Sequence, residues 1–201
     1  MKKIETIWHY ILYEALTHKT FKFTQQELAA RFSYSLSTVH HALAVPTRIG
    51  AIRKESKFFV LEHYMKLLLY WGSVRNLKRS IIYQTYSPLS VTEREGQMPP
   101  TAIYACYSAA RQILGEPPAD YEAVYVYDTA GDVTEIERRF PSERLGTKRP
   151  NIFVLAGGPE IAQYGAVTTT PQTYVDIWNL SDWYASDFLK GLEENIHGVL
   201  S

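Results

Sequence analysis

The first sixty residues alternate between helical and strand-like spacing of their apolar positions. From Ile4 to Leu16 apolar residues recur at intervals of three and four, which predicts an amphipathic helix. "HKTFKF" follows as a short extended stretch. The T-x-x-E sequence of Thr24 and Glu27 then predicts a capping box that opens a second helix, which runs to Phe32. The pattern therefore predicts two helices separated by a short strand.

A third helix is predicted directly after the second. The residues "SYS" predict a tight turn, and Ser35 is a favourable N-cap for a helix in which Val39 and Leu43 face inward. Pro46 cannot donate a hydrogen bond to the carbonyl four residues earlier, so we expect the helix to end or kink near Ala44. Such a helix is compatible with recognition of a partner through its N-terminal end.

A β-hairpin is predicted after the third helix, because "AIRKESKFFVLE" alternates around the polar centre Lys54–Lys57. The predicted elements follow the order of a winged helix-turn-helix: helix, short strand, helix, tight turn, helix and hairpin. We therefore predict such a DNA-binding domain over residues 1–62. An unrelated three-helix bundle is the alternative structure.

A connecting helix and a loop follow the predicted DNA-binding domain. The helix is predicted over residues 63–80, with an end or break at Gly72, and the loop comprises "SPLSVTEREGQMPP". "TAIYACYSAARQIL" then predicts a helix that Gly115 closes.

Strand-like and helical segments alternate over the rest of the chain. "YEAVYVYD" and "VTEIERRF" alternate as strands do, with a turn at "TAGD", and "NIFVLAG" has the apolar run of a buried strand. A short strand "AVTTT" leads to Pro171 at a helix start, where Thr170 is the expected N-cap, and "SDWYASDFLKGLEENIHGVL" predicts a final helix. The predicted fold class is thus α+β: a winged helix-turn-helix followed by a small mixed-sheet domain over residues 81–201.

Charge is distributed unevenly along the chain, although its formal net charge is zero. Residues 1–80 hold 13 Lys and Arg against 5 Asp and Glu, whereas residues 81–201 hold 8 against 16. This asymmetry favours a polyanion-binding module joined to a unit that does not bind polyanions. Uneven surface charge without functional meaning is the alternative.

Composition limits the class of protein and its compartment. No apolar run approaches the roughly 18 residues that span a bilayer. Glu5 and Glu14 interrupt the N-terminal segment, which therefore predicts a helix and not a signal peptide. The single cysteine, Cys106, excludes an internal disulfide and a cysteine-based zinc site. We expect a cytoplasmic protein without a membrane partner.

The open side of the third helix and the hairpin carry the candidate DNA-binding residues. Leu36 could contact a thymine methyl group, and the neighbouring hydroxyl and imidazole groups could bind phosphates or guanine. Affinity would come from basic side chains around the hairpin, flanked by Lys19, Lys22 and Arg31. A hydrated surface or a core-capping role is the alternative for the two histidines. The predicted DNA contacts are Leu36, Ser37, Thr38, His40, His41, Arg48, Arg53, Lys54 and Lys57.

No motif in the chain predicts catalysis, a cofactor or a metal site. "WGSVRN" at Trp71–Asn76 is similar to the Gly-Ser opening of nucleotidyltransferases, but the next strand supplies no pair of carboxylates for a metal. The carboxylates between Asp120 and Glu137 would form a metal site only if strand pairing gathered them, and an acidic solvated face is the alternative. Adjacent histidines on a helix point roughly 100° apart, which disfavours metal binding. Cys106 is predicted to lie in the core, and we expect a protein that is not an enzyme.

Two motifs in the second half carry a resemblance to a known family. With the N-terminal elements, "YSAARQILG" and "AVTTTPQTYVDIWNL" resemble the AbiEi antitoxin family, the antitoxin-regulators of type IV toxin–antitoxin systems. "YSAARQILG" is similar to that family's S-x-x-S-A-A-x-x-x-L-G helix. A plain helix start with conventional packing is the alternative role for the second motif. The family's T-x-P-x-x-T-x-x-D signature, which opens a helix after a short strand, is matched loosely by Thr169, Pro171, Thr173 or Thr170, and Asp176.

The resemblance implies a repressor of its own toxin–antitoxin operon. Its partners would be double-stranded operator DNA and a cognate toxin, whose effect the C-terminal domain would counter without requiring a stable complex. Two alternatives belong to other classes: a nucleotidyltransferase-like or nuclease-like enzyme brought to DNA by the winged helix, and a winged helix used for protein contacts. Metal-dependent turnover would favour the first, and DNA binding that falls steeply with salt would speak against the second.

Overall fold

The chain folds into two compact units of helices and sheets. The computed structural model describes residues 1–142 and 148–200. One unit comprises Met1–Arg75 and the residues from Ile196 onward, and the other comprises Asn76–Asn195. Both helices and strands are present in quantity, so the predicted α+β class is confirmed.

Four helices belong largely to the N-terminal unit, and the second begins at the side-chain cap that the sequence predicts. The first helix buries the apolar residues of the predicted pattern, including Ile7, Ile11 and Leu12, and is buried on all sides over residues 5–9. The Thr24 hydroxyl accepts a hydrogen bond from the Glu27 N–H, and the Glu27 carboxylate accepts one from the Thr24 N–H, which confirms the predicted capping box. The bounds are Lys3–His18 for α1, Gln25–Phe32 for α2, Leu36–Arg48 for α3 and Tyr64–Val74 for α4.

A three-stranded antiparallel sheet completes this unit. Its order is β1 (Lys22–Phe23), β3 (Phe59–Leu61) and β2 (Ile52–Lys54). β2 and β3 form the predicted hairpin, and the Glu55 N–H donates to the Phe58 carbonyl across its turn. The elements of the unit therefore follow one another in the predicted order.

The predicted end of α3 near Ala44 is wrong, because the helix continues through Pro46 to Arg48. Proline leaves the carbonyl of Ala42 without its helical donor. That carbonyl accepts a hydrogen bond of 2.7 Å from the buried indole N–H of Trp8 instead. A side chain of α1 thus replaces the missing backbone donor, so the helix can continue.

The predicted connecting helix is shorter than residues 63–80. α4 passes through the buried Gly72 without a break and ends at Val74, and a 3-10 turn over Leu77–Ser80 follows. α4 belongs by its contacts to the N-terminal unit, and the division between the two units falls after Arg75.

A mixed four-stranded sheet forms the centre of the C-terminal unit. Its order is β4 (Ile81–Thr85), β7 (Ile152–Ala156), β6 (Val124–Asp128) and β5 (Ile103–Ala105). β6 and β7 run parallel, and each outer strand pairs with its neighbour antiparallel. One face of the sheet contributes to a buried apolar cluster of Met98, Ala102, Val124, Val126, Ile136, Phe140, Ile152 and Val154.

Helices cover this sheet and complete the C-terminal unit. Gly115 closes α6 with a φ of 87°, a conformation that glycine adopts without strain, as predicted. Within the described residues, no helix has both the length and the apolar character needed to cross a membrane. The bounds are Val91–Gly96 for α5, Cys106–Leu114 for α6, Thr134–Arg139 for α7, Pro159–Ala162 for α8, Thr170–Trp178 for α9 and Ala185–Leu200 for α10.

Two segments predicted as loop and strand are helices. α5 lies inside the predicted loop, where Ser90 and Glu93 form a second capping box. α7 occupies the "VTEIERRF" segment, whose buried residues Ile136 and Phe140 lie four apart, as on a helix face. A third correction concerns "TAIYACYSAARQIL". Its start, Ile103–Ala105, is the strand β5, because this segment pairs with β6.

Candidate nucleic-acid interface

The third helix has one buried and one exposed stripe. Val39, Ala42, Leu43 and Pro46 are buried, which confirms the predicted inward positions of Val39 and Leu43. The other side presents residues spaced three or four apart. The exposed residues are Leu36, Ser37, His40, His41, Ala44 and Arg48.

The N-terminal end of α3 is held by its predicted cap. The Ser35 hydroxyl oxygen accepts a hydrogen bond of 3.1 Å from the Thr38 N–H and lies 2.9 Å from the Thr38 hydroxyl oxygen. Leu36, the first residue of the helix, is 51% exposed although it is a large apolar side chain. The Thr38 hydroxyl therefore takes part in the cap, while Leu36 and Ser37 are presented to solvent.

A groove of about 490 Å³ lies between the starts of α2 and α3 and the hairpin. Thr24 and Gln25 line it from α2, Leu36 lines it from α3, and Lys54 and Lys57 line it from the hairpin. Three of the predicted DNA contacts, one on α3 and two on the hairpin, therefore share one concave surface.

Arg48 is not brought to this groove. It occupies the last position of α3, whereas Leu36 occupies the first. Twelve residues of α-helix correspond to roughly 18 Å along the axis. Arg48 could therefore contact a polyanion only at the opposite end of the exposed stripe.

The charges on the hairpin differ in their availability. The Arg53 guanidinium pairs with the carboxylates of Glu55 and Glu62. Lys54 and Lys57 form no ion pair with any described residue. The two lysines are therefore the hairpin cations that are open to a phosphate.

The flanking basic residues lie around the same unit. The Lys22 ammonium is 4.0 Å from the centre of the Phe58 ring, beside the hairpin turn. The Arg31 guanidinium carbon is 4.2 Å from the centre of the Tyr10 ring. The Lys19 ammonium donates to the backbone carbonyl of Val199. Residues 1–75 contain 11 Lys and Arg against 5 Asp and Glu, so the unit as a whole attracts anions.

Five polar or charged residues at the groove are absent from the sequence-based set of DNA contacts. They are Thr24, Gln25 and Gln26 at the start of α2, and Glu55 and Ser56 on the hairpin. The signal for the residues of α2 is the capping box, since the first turn after a cap presents backbone N–H groups that favour phosphate. The hairpin turn that carries Ser56 came next to this helix start only through tertiary packing.

The residues that carry the family resemblance form an internal network of the C-terminal unit. The Asp176 carboxylate is fully buried and accepts hydrogen bonds from the Tyr127 hydroxyl, at 2.7 Å, and the Gln172 side-chain N–H, at 2.9 Å. The buried hydroxyl oxygens of Thr168 and Thr173 are 2.7 Å apart. The hydrogen bond between Asp176 and Tyr127 connects α9 to the sheet, and the side chains of this network are themselves buried.

The start of α9 differs from the prediction by one residue. Thr169, not Thr170, is the N-cap, and its hydroxyl accepts a hydrogen bond from the Gln172 N–H. The predicted strand "AVTTT" is reduced to one isolated bridge between Val167 and Tyr104. α9 packs against α6, so the two segments that carry the resemblance are neighbours in space.

The structure also places the residues considered for catalysis. Trp71 and Gly72 are buried in α4, and the Trp71 indole donates to the Glu5 carboxylate at 3.2 Å. Cys106 is fully buried, which confirms its predicted place in the core. Among the residues that the structure describes, no three His, Cys, Asp or Glu side chains are grouped so that they could hold a metal ion.

Comparison with known proteins supplies no relative for either unit. No protein-family model, no curated protein and no solved structure matches this chain. A function must therefore be inferred from the chain's own residues.

Proposed function

We propose that the N-terminal unit is a winged helix-turn-helix that binds double-stranded DNA, with α3 in the major groove and the β2–β3 hairpin against the sugar-phosphate backbone. The observation that carries this proposal is the shared groove. The exposed N-terminal end of α3, marked by Leu36, opens onto the same surface as the unpaired hairpin lysines Lys54 and Lys57. An α-helix fits the major groove of B-DNA, and lysines on an adjoining hairpin can neutralise phosphates at its edge.

The chemistry of the α3 stripe suits contacts to base edges. Ser37, His40 and His41 can exchange hydrogen bonds with purines, and Leu36 can pack on a thymine methyl group. Their neutral groups contribute selectivity, whereas the lysines contribute attraction that does not depend on sequence. The helix would thus recognise the base sequence, and the hairpin would bind the sugar-phosphate backbone.

The biological role follows from the resemblance to AbiEi antitoxins. A cytoplasmic regulator that represses its own toxin–antitoxin operon would use the N-terminal unit on operator DNA. Its C-terminal unit would counter the cognate toxin. The proximity of α6 and α9, the two segments with family-like motifs, supports this assignment of the C-terminal unit.

Selection of bound duplexes from a random pool by the full-length protein tests the proposal. We expect a defined operator sequence to be enriched. His41→Ala should reduce discrimination between that operator and random DNA by about 1–3 kcal/mol, the range for one good base contact. Because His41 is exposed, its replacement should leave the melting temperature unchanged. His18→Ala, at an exposed position at the end of α1, is the matched control and should keep wild-type discrimination.

The same experiment separates the alternatives. A His41→Ala variant that keeps wild-type specificity would contradict the base contact, whatever its melting temperature. Absence of DNA binding at low salt would favour a winged helix used for protein contacts. Metal-dependent cleavage or nucleotide transfer by the wild-type protein would favour the enzyme.

A further inference from the structure

The C-terminal unit contains an aromatic cleft of about 550 Å³. Tyr125 of β6 and Phe153 of β7 are partners in the parallel register, and their rings stack with 4.5 Å between centroids and 8° between planes. Trp183 and Tyr184 also line the cleft, with 5.4 Å between their ring centroids and 81° between their planes. The volume lies within the roughly 300–1,000 Å³ of small-molecule sites.

Contacts in the protein interior fix the positions of two aromatic residues of the cleft, Tyr125 and Tyr184. Tyr184 is buried, and its hydroxyl oxygen accepts a hydrogen bond from the Glu122 N–H at 3.3 Å. The Tyr107 ring lies 4.8 Å from the Tyr184 ring and 6.2 Å from the Tyr125 ring, measured between centroids. Trp183 is the exception, because it is 79% exposed. The cleft therefore combines fixed rings with one indole that is available to a ligand.

The charges at the cleft are mainly negative. The carboxylates of Asp120, Glu122 and Asp182 line it, against the guanidinium of Arg149 and, at the rim, the ammonium group of Lys148. Burial raises the pKa of the Tyr184 phenol, and the negative charges of Asp182 and Glu122 add to that rise. The three carboxylates outnumber the two cationic groups, and this excess favours a cation over a phosphate or another anion.

An ammonium group of the chain itself already uses an aromatic ring of this cleft. The Lys148 ammonium lies 4.3 Å from the centre of the Tyr86 ring, and Tyr86 lines the cleft. Cations within about 6 Å of an aromatic centroid are attracted by the ring quadrupole, and tryptophan is the strongest partner. The rim therefore shows, within the protein, the interaction that an external cation would make.

We propose that this cleft is a binding site for a small organic cation of the alkylated-ammonium type, held over aromatic rings that include Trp183 and attracted by the acidic rim. Several aromatic faces around a cation, with carboxylates nearby, are the arrangement by which proteins bind quaternary ammonium groups. This site is separate from the DNA-binding residues and does not depend on the function proposed for them.

A matched pair of probes tests the role of the positive charge. Choline and 3,3-dimethyl-1-butanol have the same shape, but only choline is charged, and each gives one strong methyl NMR signal for titration with the full-length protein. We expect saturable choline binding and affinity for the alcohol about five- to thirtyfold lower, the range of a desolvated cation–π contact. Equal binding of both probes, tighter binding of adenosine monophosphate, or no saturable choline binding would overturn the proposal.

Two tryptophan variants locate the site. Trp183→Ala should weaken choline binding about five- to thirtyfold, whereas Trp178→Ala, another exposed tryptophan outside the cleft, should leave it unchanged. Trp183 is largely exposed, so its replacement should keep the wild-type melting temperature. Choline binding that survives Trp183→Ala would show that the cation binds elsewhere and would overturn the assignment.

Discussion

At the scale of single residues, His9 has an unusual environment for an ionisable group. It is 2% exposed in α1, and its ring centroid lies 5.7 Å from that of the buried Trp71. Burial lowers the pKa of His9 from 6.5 to about 3, because the charged imidazolium is poorly solvated in the interior. The imidazole is therefore neutral in the folded protein throughout the physiological pH range.

This lowered pKa predicts a loss of stability in mild acid. Between pH 6.5 and pH 3 the unfolded chain binds a proton at His9 that the folded chain does not bind. Above pH 6.5 the buried His9 therefore does not reduce the free energy of unfolding. As the pH decreases below that value the free energy of unfolding falls, by about 2 kcal/mol between pH 7 and pH 5. Urea denaturation at the two pH values measures this difference.

The contribution of His9 can be separated from that of other groups. In the His9→Gln variant, the free energy of unfolding should differ between pH 7 and pH 5 by about 2 kcal/mol less than in the wild type. This expectation holds whatever the stability of the variant at pH 7. Ile11→Val, at a fully buried position of the same helix, should lower stability equally at both pH values. A His9→Gln variant with the wild-type pH dependence would contradict the assignment.

At the scale of elements, the continuation of α3 past a proline depends on another helix. The Trp8 indole in α1 donates a hydrogen bond to the Ala42 carbonyl. Pro46, four residues later in α3, has no backbone N–H that could do so. A buried carbonyl without a donor costs about 1–3 kcal/mol. The contact thus couples a side chain of one helix to the backbone of another.

This coupling predicts a measurable non-additivity. Trp8→Phe should destabilise the wild-type protein by the lost hydrogen bond in addition to lost packing. In a Pro46→Ala background the residue at position 46 has an N–H for the Ala42 carbonyl, so the same change should cost less. A double-mutant cycle from urea denaturation should give a coupling energy of at least about 1 kcal/mol. Additive effects would mean that the indole hydrogen bond does not replace the missing donor.

At the scale of the whole molecule, the two compact units coincide approximately with the basic and the acidic parts of the sequence. The N-terminal unit carries the excess of Lys and Arg, and the sequence beyond it carries the excess of Asp and Glu. Counterion release makes the affinity for DNA fall with salt at a log–log slope of about −0.9 for each phosphate neutralised. The slope therefore reports which basic residues contact the backbone.

The salt dependence of the full-length protein should depend on the hairpin lysines. Lys54→Ala with Lys57→Ala should reduce the magnitude of the slope by up to about 1.8 and weaken binding about equally for all sequences. Removal of two exposed basic residues from the C-terminal unit, Arg138→Ala with Lys190→Ala, is the matched control and should leave the slope unchanged. Equal effects of the two pairs would contradict the proposed orientation on DNA. Fluorescence anisotropy with a labelled duplex at several salt concentrations provides the measurement.

Local features of the sequence determined the elements whose signals act within a few residues. The capping box of Thr24 and Glu27, the cap at Ser35 and the closure of α6 by Gly115 all join groups three or four residues apart or require one backbone conformation. They could be predicted because their energetics do not depend on distant residues. The exposed stripe of α3 was predictable for the same reason, since helical spacing alone separates it from Val39 and Leu43.

Tertiary structure alone decided the features that join distant parts of the chain. Trp8 lies 34 positions before the carbonyl that it binds. Pairing of β6 with β7 stacks Tyr125 on Phe153, and packing of α9 on the sheet buries Asp176 against Tyr127. Helical or strand spacing shows which side of an element a residue occupies but not which element covers it. The groove beside α3 and the aromatic cleft depend on such pairings, because each is formed by side chains that only folding brings together.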